Sequence, residues 1–241
     1  MGHCRNCDTQ IDNLYCPACG QKDVDLDRPF PELLGEVARE TFDLDGRAWR
    51  TARTLFLQPG KLTAEYLAGK RRTYTPPLRL YLFISVTFFI AMAWVAGQGW
   101  LLDLGQSVET DAVSQAQFMS EKLPRMMFVL LPIFALLLKV IFRKRHYLDH
   151  IIFSVHLHSA AYVILALLLP FETLANQNVF ALVLQAGLFA YFMVFVVMSM
   201  RLVYDTSLAG AVVKAIVVLI AYMMVVSAMI EATSSFLIIS D

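Results

Sequence analysis

Charge is scarce in this sequence. Only 17% of its 241 residues are Asp, Glu, Lys or Arg against 58% hydrophobic, and mean hydropathy is +0.58, far from the composition of a soluble globular domain. The shortage is local: 12 of the 20 Lys and Arg and 11 of the 20 Asp and Glu fall in residues 1–79, so a polar head precedes an apolar body. A net charge of zero therefore averages two unlike parts and says nothing of partners. The apolar body lacks the alternation that a transmembrane β-barrel requires. The N-terminus lacks the apolar stretch of a cleaved secretion signal, because a polar, Cys-containing segment stands in its place. Walker loop, nucleophile elbow and dinucleotide fingerprint are all missing, which leaves no enzyme signature of those classes. Cysteine is absent after Cys19, all four lying within sixteen positions.

What the body does contain is five runs, at about 80–96, 126–142, 151–169, 179–200 and 212–230. Each meets or approaches the roughly 20 apolar residues with which a helix crosses about 30 Å of hydrocarbon. Ahead of the first run, Arg47, Arg50, Arg53, Lys61, Lys70, Arg71, Arg72 and Arg79 face one acid, Glu65. The first loop (97–124) holds Asp103, Glu109, Asp111 and Glu121 against Lys122. The second holds Arg143, Lys144 and Arg145, the third (PFETLANQN) has no base, and the fourth has Arg201 with Lys214 nearby. Basic and non-basic loops alternate, which predicts five spans with the N-terminus cytoplasmic and Asp241 outside. Lys139 and Lys214, near span ends, are expected to snorkel to the interface. The expected fold is mainly α: a polytopic membrane helical bundle over 80–241, preceded by a linker over 23–79 and a small N-terminal module over 1–22.

In CRNCDTQIDNLYCPACG, Cys4 and Cys7 form one C-x2-C pair, and Cys16 and Cys19 form another after eight intervening residues. A cytoplasmic N-terminus is reducing and disfavours disulfides. Two such knuckles supply the tetrahedral S4 set that zinc prefers, with no coordination position left open for catalysis. One structural zinc ion is the expected cofactor, and a redox pair or an iron centre is the other use of the same thiols. Pro and Gly in CPACG suit the turn, whereas Asp8 stands where a first knuckle more often has Gly. So short a segment cannot bury a core of its own, so metal binding would supply most of its folding free energy. Residues 1–22 are read as a zinc ribbon.

The linker changes sign along its length. Residues 23–45 carry eight acids against Arg28 and Arg39, and in PELLGEVARETFDL the residues Leu33, Leu34, Val37 and Phe42 fall near one helical face. RAWRTARTLFL sets Trp49, Ala52, Leu55 and Phe56 on one side of a helix and its arginines largely on another, the pattern of a helix lying on an anionic leaflet. A hairpin pairing the acidic and basic helices is the other reading. Gly69 is expected to stop a helix carrying Leu62, Tyr66 and Leu67, and Pro76 and Pro77 to bend the chain into the first span. Lys70, Arg71 and Arg72 are candidate ligands for a lipid headgroup or another anion.

Taken together, the N-terminal C-x2-C, YCPACGQK, P-G-K, Y-x-x-G-K-R-R-x-Y-x-x-P and HYLDHIIFSVHLHS blocks resemble a bacterial family of zinc-ribbon membrane proteins known only as a domain of unknown function. The resemblance implies an inner-membrane protein with a cytoplasmic ribbon, and it brings no activity, substrate or catalytic residue.

Four of the five histidines lie in RHYLDHIIFSVHLHS. Ionisable groups inside a span are functional candidates by default, so Asp149, His150, His156 and His158 form a candidate intramembrane polar site. On a helix His156 and His158 are about 200° apart and cannot chelate one ion unaided. One HxxxH occurs without a second box, unlike the clustered boxes of membrane hydroxylases and desaturases. Interhelical hydrogen bonding and a proton-, metal- or ligand-handling role remain the two uses of these side chains. The expected function is a non-catalytic docking, scaffold or regulatory role, with membrane lipids, a cytoplasmic protein at the ribbon and a second copy of the chain as expected partners and no nucleic acid. A small-solute or ion transporter using the third-span histidines is the alternative, and a membrane metalloenzyme is third.

Overall fold

The computed structural model describes residues 2–11, 14–21, 47–97, 122–175 and 178–240. The helix expected in PELLGEVARETFDL and the acids of the first loop lie outside the described residues. A two-stranded antiparallel sheet opens the chain, β1 (Gly2–His3) pairing with β2 (Gln10–Ile11) so that Gly2 faces Ile11 and His3 faces Gln10.

Each apolar run is a helix: α3 (Pro77–Gly97), α4 (Leu123–Ile141), α5 (Tyr147–Ala175), α6 (Val179–Tyr204) and α7 (Leu208–Ser240). All five hold a stretch long and apolar enough to cross a membrane, as a multi-pass membrane protein requires. Helix is the form that lets such a run satisfy every backbone group within itself. Two run further than the pattern suggested. α5 continues to Ala175 through most of PFETLANQN, and α7 continues to Ser240 through a tail that contains neither Gly nor Pro to stop it.

The hub is α5. Of its span, 67% is buried inside the protein, against 17–33% for the other four, because α3, α4 and α6 all pack against it. Its polar residues His150, Ser154, His156, His158 and Ser159 consequently sit at the centre and are at most 7% exposed. Ser154 Oγ donates to the Leu131 carbonyl of α4 at 3.1 Å and the Tyr147 hydroxyl to that of Pro132 at 2.9 Å. On the α3 side the Phe88 ring stacks on Tyr162 with centroids 5.0 Å apart. Where α4 ends, Phe142 stacks on Tyr204 at 3.9 Å and the Lys214 ammonium lies 4.6 Å over the Phe142 ring. Lys139 turns instead to the carbonyls of Arg143 (2.9 Å) and Arg145 (2.6 Å), which it caps at the end of its own helix.

The basic half of the linker forms two short helices, α1 (Arg47–Leu57) and α2 (Lys61–Leu67), folded back on each other through Gln58, Pro59 and Gly60. This hairpin packs against α5 and α6. Of the Trp49, Ala52, Leu55 and Phe56 stripe, Leu55 is buried and Phe56 packs against the core, but Trp49 turns away and threonines share the inward face. Trp49 is 76% exposed, while Thr51, Thr54 and Leu55 are buried. Threonine can face inward here because its hydroxyl is satisfied: Thr51 Oγ1 donates to the Arg47 carbonyl (2.8 Å) and accepts from the Thr75 N–H (2.9 Å). The bond from Thr75 ties α1 to the segment that leads into α3. At the tip, Gly60 adopts a φ of 78°, and a Cβ there would stand 2.8 Å from Ser199 Cα of α6. The Tyr191 hydroxyl of α6 donates to the Phe56 carbonyl just before that turn.

Candidate metal centre and its contacts with the bundle

The two C-x2-C segments fold as copies of one turn. Cys4 N–H donates to Thr9 O at 2.8 Å and Asp8 N–H to Cys4 O at 2.8 Å; Cys16 N–H donates to Gln21 O at 2.8 Å and Gly20 N–H to Cys16 O at 2.9 Å. Each turn closes through a left-handed residue, Asp8 at φ 62° and Gly20 at φ 67°. Asp fills the position glycine takes in the second knuckle because Asp tolerates that region better than most side chains.

The turns bring all four Sγ atoms within 4.8 Å of one another. Across the knuckles, Cys4 and Cys19 are 3.6 Å apart, as are Cys7 and Cys16. A tetrahedron with metal–sulfur bonds of about 2.3 Å has sulfurs about 3.8 Å apart, so the donor set fits a tetrahedral thiophilic ion. Among the described residues this is the one group of three or more His, Cys, Asp or Glu side chains close enough to share a metal. His3 is not part of it; its Nδ1 lies 3.0 Å from the Asp8 carbonyl oxygen. Cys4 and Cys16 are buried with Ile11 while Cys7 is exposed. The hydrogen bonds of Thr9 hold the Cys7 thiol down at about 6, whereas burial, with the neighbouring thiols, pushes Cys19 up to about 12. Cys7 is thus a ready thiolate, and a cation is what would draw the proton from Cys19.

The knuckles are clasped to the turn that follows α2. Gln21, next after the second knuckle, donates from Nε2 to the Gly69 carbonyl (2.7 Å) and accepts on Oε1 from the N–H groups of Arg71 (3.1 Å) and Arg72 (3.0 Å). Thr73 donates to Asn6 Oδ1 of the first knuckle at 2.5 Å. Gly69, at φ 97°, ends α2 and also admits the ribbon: a Cβ there would meet Arg5 Cδ at 2.7 Å. Lys70, Arg71 and Arg72 each have a different neighbour. Lys70 Nζ pairs with Glu65 at 3.4 Å, the Arg71 guanidinium lies 5.9 Å from the centre of the Tyr66 ring, and Arg72 reaches toward Gly20. Glu65 also accepts the Tyr74 hydroxyl. Burial alone would raise its pKa, but Tyr74 and Lys70 hold the carboxyl below its ordinary range.

The third-span residues separate in the same way. His150 Nδ1 is 2.8 Å from the Tyr204 hydroxyl of α6, and His158 Nε2 is 2.8 Å from the Tyr222 hydroxyl of α7 while its Nδ1 faces the Ser154 carbonyl at 2.8 Å. His156 Nδ1 is 2.9 Å from Thr63 Oγ1 of the hairpin. Asp149 sits in the first turn of α5 instead, where a carboxylate suits the helix N-terminus. His150 Nε2, His156 Nε2 and Ser199 Oγ are among the buried atoms with no hydrogen-bond partner, and His156 and Ser199 line a void of about 10 Å³ beneath Gly60 and Leu62, room for about one water molecule. A larger cavity of about 250 Å³ lies among α4, α5, α6 and α7, walled by hydrocarbon such as Phe134, Leu165, Phe192 and Val226, with His158 and Tyr222 at its edge. Sequence reasoning reached the cysteines and the histidines but not Gln21, Asn6, Thr63 or the two tyrosines. Their partners are between 48 and 93 residues away, beyond any local periodicity.

A family model described as a protein of unknown function (DUF3667) matches residues 45–89, the stretch that holds α1, α2, the ribbon-clasping turn and the first part of α3. The match agrees with the resemblance to an unknown-function family and leaves the cysteines outside it. Neither a curated protein nor a solved structure matches the chain.

Proposed function

We propose that this is a bacterial inner-membrane protein with a non-catalytic docking, scaffold or regulatory role, in which one structural zinc ion bound by Cys4, Cys7, Cys16 and Cys19 holds a cytoplasmic ribbon against the membrane bundle. The observation that carries the reading is the clasp: Gln21 links the four-thiol cluster to the turn after α2, and α2 is in turn seated against α5 and α6. Metal occupancy at the N-terminus therefore bears on the position of a hairpin inside the bundle. Four thiolates complete a tetrahedral shell, which favours structure over catalysis. The cytoplasmic assignment rests on charge: in a five-span chain the turn bearing Lys70, Arg71 and Arg72 lies on the same side as Arg143, Lys144 and Arg145, and as Arg201 with Lys214. The ribbon's outer face is the surface for a cytoplasmic protein partner.

Metal analysis and affinity capture test this reading. Purified protein is expected to carry about one zinc per chain, lost in Cys16→Ser, and a partner recovered with the intact ribbon should be lost with the same substitution. Equal recovery of every partner from both proteins refutes docking through the ribbon.

The unpartnered His156 and Ser199 atoms favour a second reading, in which the third span handles a small solute or ion. Flux through reconstituted vesicles that His156→Ala leaves unchanged removes that site.

A further inference from the structure

Three arginines meet where the ribbon touches the turn after α2, and none has a carboxylate partner among the described residues. Glu65, the one acid in residues 47–79, is already engaged by Lys70 and by Tyr74. Asp8 lies beside His3. Arg5 comes from between the first two cysteines, and its aliphatic stem lies flat on Gly69, in the space a side chain there would take. Arg71 is held from behind: Gln21 fixes its N–H, the Tyr66 ring lies under its guanidinium, and its Nε is buried without a hydrogen-bond acceptor. Burial first, and the nearby positive charge of Arg5 after it, lower the Arg71 pKa against the opposing pull of Tyr66. Arg5 on Gly69, and Arg71 two residues on with a buried donor and no acceptor, put two positive charges at one turn and call for an anion there.

We propose that Arg5 and Arg71, flanked by Arg72, form a binding site for a phosphate group, assembled only when the ribbon is docked on the turn. Guanidinium forks match the paired oxygens of a phosphate, which a lysine-based patch does not. The sequence cluster of Lys70, Arg71 and Arg72 is thereby recomposed, because Lys70 belongs to Glu65 and Arg5 arrives from the other end of the polar head. The site stands five residues before Pro77, where the first apolar helix starts, so a phospholipid headgroup and a soluble phosphate compound both have access to it. The proposal rests on the metal-held ribbon, since the knuckle positions Arg5.

The test uses full-length zinc-loaded protein in neutral detergent, with metal content measured first. Its thermal unfolding is followed as inorganic phosphate is added against chloride at equal ionic strength, and separately as phosphatidylglycerol is added against phosphatidylcholine. Protection by phosphate or by phosphatidylglycerol is expected, and Arg5→Gln or Arg71→Gln should weaken it about tenfold or more while zinc stays bound. Arg71→Lys, which keeps the charge and loses the fork, should weaken it as well. Lys144→Gln, in the loop between α4 and α5, should leave it unchanged. Protection by inorganic phosphate identifies a soluble phosphate compound as a source, and protection by the lipid alone identifies the headgroup. No protection in zinc-loaded protein, or equal protection in the arginine variants, overturns the site while leaving the ribbon reading intact. Protein that holds no zinc at all refutes the ribbon reading instead.

Discussion

Replacing Gly60 by alanine probes the seat of the hairpin through one methyl group. At φ 78° an L side chain is strained, at about 1–2 kcal/mol. The added Cβ would also stand 2.8 Å from Ser199 Cα and 2.9 Å from Ser199 O, atoms of a helix backbone that cannot swing aside. Overpacking of that kind costs about 1–3 kcal/mol, so Gly60→Ala should destabilise the protein by about 2–5 kcal/mol. Gly69→Ala is the matched comparison: its φ of 97° brings similar strain, but its clash is with the flexible Arg5 side chain, so the loss should be nearer about 1–2 kcal/mol. Gly187→Ala is the control, in mid-helix with nothing within 4 Å of the new methyl, and should gain about 0.5–1 kcal/mol. Thermal unfolding in detergent, followed by tryptophan fluorescence, reads all three at about 2–4 °C per kcal/mol. Gly60→Ala should therefore melt at least about 4 °C below the wild type, and a variant as stable as the wild type refutes the packing of the hairpin tip on α6.

Gln21→Ala removes three hydrogen bonds worth about 1 kcal/mol each, so amide exchange at Arg71 and Arg72 should accelerate about 30- to 150-fold while the metal content is unchanged; unaltered exchange refutes the clasp. Tyr222→Phe leaves His158 Nε2 without its partner on α7 and should destabilise the bundle by about 0.5–2 kcal/mol in chemical denaturation, a neutral result showing that the bond contributes nothing. In metal-free protein, iodoacetamide should modify Cys7 ahead of Cys19, the Cys7 rate rising through a midpoint near pH 6. Because the Cys7 pKa is depressed, the stability that its thiolate lends is complete only above the ordinary value of 9 and is lost as pH falls through about 6. Cys7 and Cys19 titrating together would contradict the Thr9 contacts.

The five spans were legible because a bilayer imposes length and apolarity on each helix separately, and a reader of Leu80 or Val212 needs no knowledge of any other helix. The knuckles were legible for a similar reason: Cys4 and Cys7 supply sulfur within a single turn, and the misgiving over Asp8 pointed at the residue that adopts φ 62°. The inward face of α1 was legible only in part. Leu55 and Phe56 turn inward as the stripe suggests, yet Trp49 is exposed and Thr51 and Thr54 are buried, because hydroxyls that find protein partners can take inward positions. The clasp and the histidine pairings were hidden for another reason. Gln21 to Gly69, Thr63 to His156 and His158 to Tyr222 are each a meeting of two ordinary residues, specified by the folded bundle and by no spacing along the chain.

That the hairpin rests on α6 fixes an order of events during synthesis. Phe56 leaves the ribosome 135 residues ahead of Tyr191, the residue whose hydroxyl grips its carbonyl, and elongation at about 5–20 residues per second makes that interval about 7–27 s. Throughout it, α1 and α2 have been made and their berth has not. The nascent N-terminal segment must wait at the membrane surface until the fourth span is inserted, so the ribbon reaches its final place only as one of the last steps in the birth of the protein.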